Sequence, residues 1–393
     1  MEYKKYKLGE FIDTISDTTP MNKDKVILVN TSDVENGYVL NHNYVENKNL
    51  KGQFKKRFRR GDILYSEIRP KNKRFAYIDF DAEDYIASTK LMVLRNKGNI
   101  DNEFLFQLLK SDKIISYLQM LAESRSGTFP QITFNELSNV DVYIPEVRIQ
   151  KKISGFLQKI DNKIELNNKI NDNLFEVLKQ YITEHYYINN DIQNSTINKI
   201  GKIQGGYAFK SKDLLDEVTN NKIFKIKNIS SSGVDIDNTQ CVYDEVADKV
   251  DKKFLLTRGD VIIAMTGAEL GKTGYLFGKE NSYFLNQRVG VVRGNDIFSS
   301  LYLNCVFLLE KMQNTLNSKG YGSAQPNIST SDIENIEIPI PDEIELKKFY
   351  EIANPIYNKM ILNSEQNQYL TKLRDALLPK LMNGEIDLDN IEI

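Results

Sequence analysis

The sequence predicts an α+β fold made twice: two α+β domains in tandem, each followed by a long helix, the two helices pairing as an antiparallel coiled coil. Three observations predict it. The chain repeats itself, short runs of branched and aromatic residues between turn signals fill each copy, and an apolar stripe at helical spacing follows each copy. Gly127-Thr128-Phe129-Pro130-Gln131-Ile132 through Ile144-Pro145 is echoed by Gly322-Ser323-Ala324-Gln325-Pro326-Asn327-Ile328 through Ile340-Pro341. The pairs Pro130/Pro326, Ile132/Ile328, Leu137/Ile333, Val142/Ile338 and Pro145/Pro341 share an offset of 196, which continues through Lys151/Lys347, Asn167/Asn363 and Asn171/Asn367. Upstream the offset drifts by two, with Arg60-Gly61-Asp62-Ile63 matching Arg258-Gly259-Asp260-Val261. A period this long is a duplicated domain, not a solenoid unit.

Taken in order, Val26-Ile27-Leu28-Val29, Asp62-Ile63-Leu64-Tyr65-Ser66, Phe75-Ala76-Tyr77-Ile78 and Leu91-Met92-Val93-Leu94 read as strands of the first copy. Their counterparts are Ile223-Phe224-Lys225-Ile226, Asp260-Val261-Ile262-Ile263, Thr273-Gly274-Tyr275-Leu276 and Val289-Gly290-Val291-Val292. Residues 104–121 and 301–316 fit amphipathic helices, each followed by a glycine-containing loop and an alternating strand that ends in proline. After Pro145 the positions Ile153, Phe156, Ile160, Ile164, Asn167, Asn171, Leu174, Leu178 and Tyr181 step by three or four. After Pro341, Phe349, Ile352, Ile356, Met360, Asn363, Asn367, Leu370, Arg374 and Leu377 do the same. So narrow a stripe is a coiled-coil seam rather than a face laid on a broad core. A pseudo-dyad between the copies would turn the second helix back along the first, with Asn167 and Asn363, the midpoints of their stripes, meeting near its centre. The boundaries expected are 1–147 and 191–343 for the globular copies, and 148–190 and 344–393 for the helical segments.

Composition narrows the function. Apolar residues make up 41% and charged residues 27% of the 393, ordinary for a globular chain. No apolar run is long enough to span a membrane, and Met1-Glu2-Tyr3-Lys4-Lys5 lacks the core of a signal peptide, so a cytoplasmic location is expected. Cys241 and Cys305 read as small core residues, and His42 and His185 leave acid–base chemistry and zinc ligation poorly supplied. Three motifs fall short. Gly267-Ala268-Glu269-Leu270-Gly271-Lys272-Thr273 has one residue too few between its glycines for a phosphate loop. Asn354-Pro355-Ile356-Tyr357 departs from the adenine methyltransferase motif at its third position and lies in a helical stripe. Asp342 and Glu345-Leu346-Lys347 sit too close in sequence for a nuclease metal site. A chain without its own cofactor, metal or catalytic group is expected.

Net charge is −2, yet between positions 51 and 74 ten basic residues face two acidic ones. Between positions 252 and 279 the balance is five against two. In the first window this concentration reads as the footprint of a nucleic-acid partner, with a solvated face as the alternative. In the second the solvated face is the expected reading and the nucleic-acid footprint the alternative.

With these residues in hand, the chain resembles the specificity subunit of type I restriction–modification enzymes over nearly its full length. The resemblance is carried by the repeat, by Arg60-Gly61-Asp62-Ile63-Leu64-Tyr65-Ser66 and Ser88-Thr89-Lys90-Leu91-Met92-Val93-Leu94, and by Ser126-Gly127-Thr128-Phe129-Pro130-Gln131-Ile132. The helical stretch 150–179 and the terminal Leu373-Arg374-Asp375-Ala376-Leu377-Leu378-Pro379-Lys380-Leu381-Met382-Asn383-Gly384-Glu385-Ile386 complete it. It implies two target-recognition domains, each reading one half of a split double-stranded DNA sequence, joined by conserved helices that recruit two methyltransferase subunits, with a restriction subunit as an optional addition. S-adenosylmethionine and ATP would then bind those partners. A specificity subunit of a methylation-only or type II-like system is the nearest alternative; a free-standing enzyme and a coiled-coil scaffold without a DNA role are the rivals of other classes.

Phosphate contacts position such a protein, and base edges specify its site. In the first copy Lys55, Lys56, Arg57 and Arg59 are the expected phosphate ligands, with Arg69, Lys71, Lys73, Arg74, Ser124, Arg125, Ser126 and Thr128 nearer the bases. In the second copy the candidates are Lys210, Lys212, Thr266, Lys272, Lys319, Tyr321, Ser323 and Gln325.

Overall fold

The computed structural model describes residues 3–35, 37–48, 50, 52–125, 130–188, 192–230, 233–278, 281–320, 326–386 and 388. The chain forms two compact units, 1–162 with 371–393, and 163–370. The division falls inside the two long helices, Val147–Ile182 and Glu343–Met382, rather than at the ends of the globular copies.

The first unit holds a sheet ordered Ile12–Ile15, Leu91–Asn96, Ile63–Ser66, Phe75–Tyr77, antiparallel throughout. A second sheet is ordered Tyr44–Glu46, Lys25–Val29, Tyr85–Ser88, Phe54–Arg57, and its central pair is parallel. Lys4–Lys7 pairs with Asp141–Ile144. The second unit repeats both orders: Gly201–Gly205, Val289–Gly294, Val261–Ala264, Thr273–Tyr275, and Gln240–Val242, Asn221–Phe224, Ser282–Leu285, Leu255–Leu256. Its Asn194–Thr196 pairs with Glu337–Pro339. The duplication is therefore one of topology, down to the parallel central pair of the second sheet in each unit.

Both Arg-Gly-Asp turns are built alike. Gly61 and Gly259 take φ of +89° and +91°, a region open to glycine at little cost. The buried Asp62 then accepts from the Arg59 amide at 2.9 Å and from the Arg95 guanidinium at 2.7 and 2.8 Å. Asp260 accepts from the Thr257 amide and pairs with Arg293. The motif is a structural turn, with its carboxylate satisfied on both sides. The amphipathic stretches each break once, giving Asn102–Leu109 with Asp112–Arg125, and Ile297–Leu308 with Glu310–Gly320. In the second copy the break is the extended backbone of Leu309.

Each unit contains its own stretch of antiparallel helix pair. In the first, Ile149, Ile153 and Leu157 share a core with Leu378, Leu381 and Met382, with Phe156 and Leu377 packed at its margin; Ile160 is buried one turn on. In the second, Leu178, Phe349, Ala353, Tyr357, Met360 and Ile361 share a core, with Leu174 and Ile356 at its margin and Ile164 and Leu370 half-buried. Ile352 departs from expectation. It is 42% exposed, and Ala353 takes the inward position, because the buried row steps by four from Phe349 to Ala353 to Tyr357 to Ile361.

The asparagine pairing also differs. Asn167 does not bond Asn363; its amide donates to Asn367 at 2.8 Å and to Gln366 at 2.9 Å. Asn363 donates to Asn171 at 2.8 Å, and Asn171 in turn to the Met360 carbonyl at 3.1 Å. The helices face each other one turn away from the expected register, about 6 Å at 1.5 Å per residue. Because the repeat carries Asn167 onto Asn363 and Asn171 onto Asn367, it exchanges the two pairs.

In the first unit a charged triad occupies the seam. Asp161 accepts from Lys110 at 2.9 Å and from Arg374 at 2.8 Å. Burial works to raise the Asp161 carboxyl, but the two cations overcome it and hold it below the ordinary carboxylate range. Asp161→Ala, which takes the carboxylate from the largely buried Lys110 and leaves Arg374 to Asp375, should cost about 3 kcal/mol in denaturant unfolding, whereas replacing Asp161, Lys110 and Arg374 together by leucine or methionine should cost under about 1 kcal/mol. The sign of the shift makes Asp161's contribution fully present above its unfolded pKa of about 3.9 and lost as pH falls through its lower folded value. The triple substitution should therefore remove part of the acid sensitivity, readable as a smaller loss of stability between neutral and acid pH.

Candidate nucleic-acid interface

In each unit two loops are clasped by the same backbone bonds. The Arg69 amide donates to the Pro130 carbonyl at 3.0 Å, and the Ile132 amide to the Glu67 carbonyl at 2.8 Å. In the second unit Gly267 donates to Pro326 at 2.9 Å and Ile328 to Met265 at 3.0 Å. Each clasp joins the turn after the Ile63–Ser66 or Val261–Ala264 strand to the loop after a helix, Asp112–Arg125 or Glu310–Gly320. Two loops far apart in sequence thus form one surface.

That surface gathers some of the expected residues and leaves others out. Arg69 and Lys71 are exposed on it, and Lys73 lies 3.2 Å from Asp112. The Lys71 amide donates to the Gln119 side chain, bracing the turn against the helix. Arg74 is committed to the fold, its guanidinium 3.2 Å from the Ser32 carbonyl and 3.5 Å from Glu35. Ser124 is exposed, and its hydroxyl donates back to Leu121. Arg125 closes its helix. Ser126, Thr128, Tyr321, Ser323 and Gln325 lie outside the described residues. In the second unit the Thr266 hydroxyl donates to the Pro326 carbonyl at 3.0 Å, Lys272 pairs with Glu269 at 2.7 Å, and Lys319 is exposed. Lys210 and Lys212 are exposed on the segment that follows Tyr207, which pairs with Asn286.

The basic run 55–59 is divided by strand alternation. On the edge strand Phe54–Arg57, Lys55 is exposed and Arg57 half-buried, while Lys56 turns inward, 15% exposed, and donates to the Thr89 and Leu91 carbonyls at 3.0 and 2.8 Å. Burial pushes the Lys56 ammonium below its ordinary value, with Glu67 3.9 Å away acting against it. Lys56 supports the fold, with two of its three ammonium protons donated to strand carbonyls. Arg59 lies at the other end of the Ile63–Ser66 strand from Arg69. With Arg60 it lines a cleft of about 550 Å³ bounded by Arg95, Asp101, Val147 and Lys151.

Two residues of the surface escaped sequence reasoning. Lys90 lies 3.3 Å from the Gln131 side chain and 4.0 Å from Glu67, and its carbonyl accepts from the Glu67 amide. Arg288 is exposed, and its carbonyl accepts from the Met265 amide. The two stand at the same offset as Arg60 and Arg258, so the repeat itself was the available signal.

The glycines of the near-miss phosphate loop have a different use. Gly267 and Gly271 take φ of +82° and +80°, closing the turn between two strands. Among the described residues no group of histidine, cysteine and carboxylate side chains could hold a metal ion, and no helix is long and apolar enough to cross a membrane. Both cysteines are buried, and burial pushes the Cys305 thiol well above its ordinary value.

The fold and the site define a class of duplicated α+β chains with a helix pair in each unit and, in the first unit, a basic loop surface. The family model of the type I restriction modification DNA specificity domain matches residues 1–176 and 189–372, and the chain belongs to that family. It is 30% identical to the type I restriction enzyme HindI specificity subunit of Haemophilus influenzae, over 98% of this chain and 100% of that one. The MjaIX specificity subunit of Methanocaldococcus jannaschii is 25% identical over 78% of this chain and 76% of its own. The crystal structure of the type I restriction–modification S subunit from M. genitalium shares the fold, with a TM-score of 0.55 at 16% identity, covering 97% and 96% of the two chains.

Lys55 and Lys56 separate experimentally. Lys55→Gln should weaken binding to all duplexes alike and reduce the slope of log affinity against log salt by about 1. Lys56→Met should lower thermal stability and leave that slope unchanged. A salt titration of both variants by fluorescence anisotropy, beside a melting curve, checks the pair.

Proposed function

We propose that the chain is the target-recognition subunit of a type I restriction–modification complex, each unit reading one half of a bipartite DNA sequence. It does no chemistry itself. The paired helices dock two methyltransferase subunits, with a restriction subunit as an optional addition, and S-adenosylmethionine and ATP bind to those partners. One observation carries the reading. The backbone of the clasp is the same in both units, but its side chains differ: Arg69 against Gly267, Lys71 against Glu269, Lys73 against Gly271, Gln131 against Asn327. A constant frame with variable side chains is what reading two different short sequences requires.

Exchanging residues 1–147 for those of a relative should change one half of the methylated motif and leave the other. Sequencing modified adenines in cells carrying the chimera together with the methyltransferase subunit reads the outcome; a change in both halves would overturn the two-reader assignment.

A further inference from the structure

Two residues of the described chain other than glycine have positive φ, Arg69 at +45° and Lys73 at +53°. They bracket the turn Pro70–Asn72, whose closing bonds run from Asn72 to the Arg69 carbonyl at 2.8 Å and from Lys73 to the Pro70 carbonyl at 2.9 Å. Side chains with a Cβ are disfavoured in this region, and Pro70 already disfavours right-handed helical backbone at the residue before it. The second unit meets the same geometric demand differently. At the repeat offset of 198, Arg69 corresponds to Gly267 and Lys73 to Gly271, both left-handed. Gly271 has a further reason to be glycine: a Cβ there would stand 2.8 Å from the Gln313 carbonyl oxygen. Among the described residues Gly267 has none, since none of them lies within 4 Å of a Cβ placed on it. The turn thus accepts glycine at both ends, and the first unit spends two strained positions on cations instead.

Strain of this kind persists where the side chain does something glycine cannot. Neither side chain is buried in the core. Arg69 is exposed, and Lys73 is half-exposed, its ion pair among the described residues being the surface pair to Asp112 at 3.2 Å, a contact of small net worth. The backbone of Arg69 is pinned to Pro130, so its guanidinium springs from the junction of the two loops. Resting on the reading above, we propose that Arg69 and Lys73 are the specificity and anchoring pair of the first unit. Arg69 presents its planar fork to a guanine edge, where two parallel donors fit N7 and O6, and Lys73 exchanges Asp112 for a phosphate.

The test uses the full-length chain and a pool of random-sequence duplexes, with melting temperature recorded for each variant. Wild type should enrich a two-part motif. Arg69→Gly should lose preference at one guanine of one half by about ten- to a hundredfold, keep the other half, and melt at the same temperature or about 2–4 °C higher. Lys73→Gly should weaken the whole pool evenly, lower the salt slope by about 1, and not melt lower. If wild type enriches a two-part motif and Arg69→Gly enriches the same motif equally well, the inference is overturned while the bipartite reading stands. A fall in melting temperature with unchanged selection makes Arg69 structural and also overturns it. A wild-type chain that enriches no two-part motif overturns the underlying reading.

Discussion

The backbone clasp between two loops is the constraint on which each unit's presenting surface depends. In the first unit it joins Arg69 to Pro130 and Glu67 to Ile132, and the second unit repeats it from Gly267 to Pro326 and from Met265 to Ile328. Loops standing alone would lose considerable conformational entropy on ordering against a partner. Tied by main-chain bonds, they have met much of that loss during folding. Main-chain bonding is also indifferent to side-chain identity, which is why Ile68 can face Gln131 in one unit and Thr266 face Asn327 in the other. The side chains are then free to diverge while the frame stays fixed.

The helix seam obeys a stricter rule. Apolar side chains in a heptad stripe can slide by a turn and still find apolar neighbours, but a buried amide cannot. Asn167 and Asn171 satisfy theirs only opposite Asn367 and Asn363. In the first unit Asp161, held between Lys110 and Arg374, plays the corresponding part with charges. The position at the same repeat offset from Asp161 is Tyr357, whose hydroxyl donates to the Gly259 carbonyl. The two seams are therefore pinned by different chemistry, and residues of one cannot replace residues of the other without stranding a polar group.

The sequence carried the fold class, the duplication and the helical seam because these rest on period and repetition, which side-chain type reports directly. It misplaced details that period does not determine. A stripe stepping by three or four identifies a face but not the register of its partner, so Asn167 was expected one turn from where it bonds, and Ile352 was placed where Ala353 lies. It also read a run of cations as one patch. Strand alternation turns Lys56 inward, and the Ile63–Ser66 strand carries Arg59 away from Arg69. The left-handed turn was half legible, since Gly267 and Gly271 advertise positive φ and Arg69 and Lys73 conceal it. Only the comparison of one copy with the other exposes the demand common to both.

The near-neutral total charge fits this division of labour. A protein that gripped DNA mainly through many phosphate contacts would bind everywhere, and competing sites in a genome would occupy it. Here several cations are engaged inside the fold: Arg95 and Arg293 on the turn carboxylates, Arg74 on the 32–35 segment, Lys56 on strand carbonyls, Arg258 on Glu365. On the clasp of the first unit Arg69, Lys71, Lys73 and Lys90 remain at the surface. On the proposed reading, two weak, selective contacts on one chain then multiply through effective concentration, because engagement of one half presents the other reader to its own half locally. Discrimination accumulates from both halves while background affinity stays that of a few phosphate contacts.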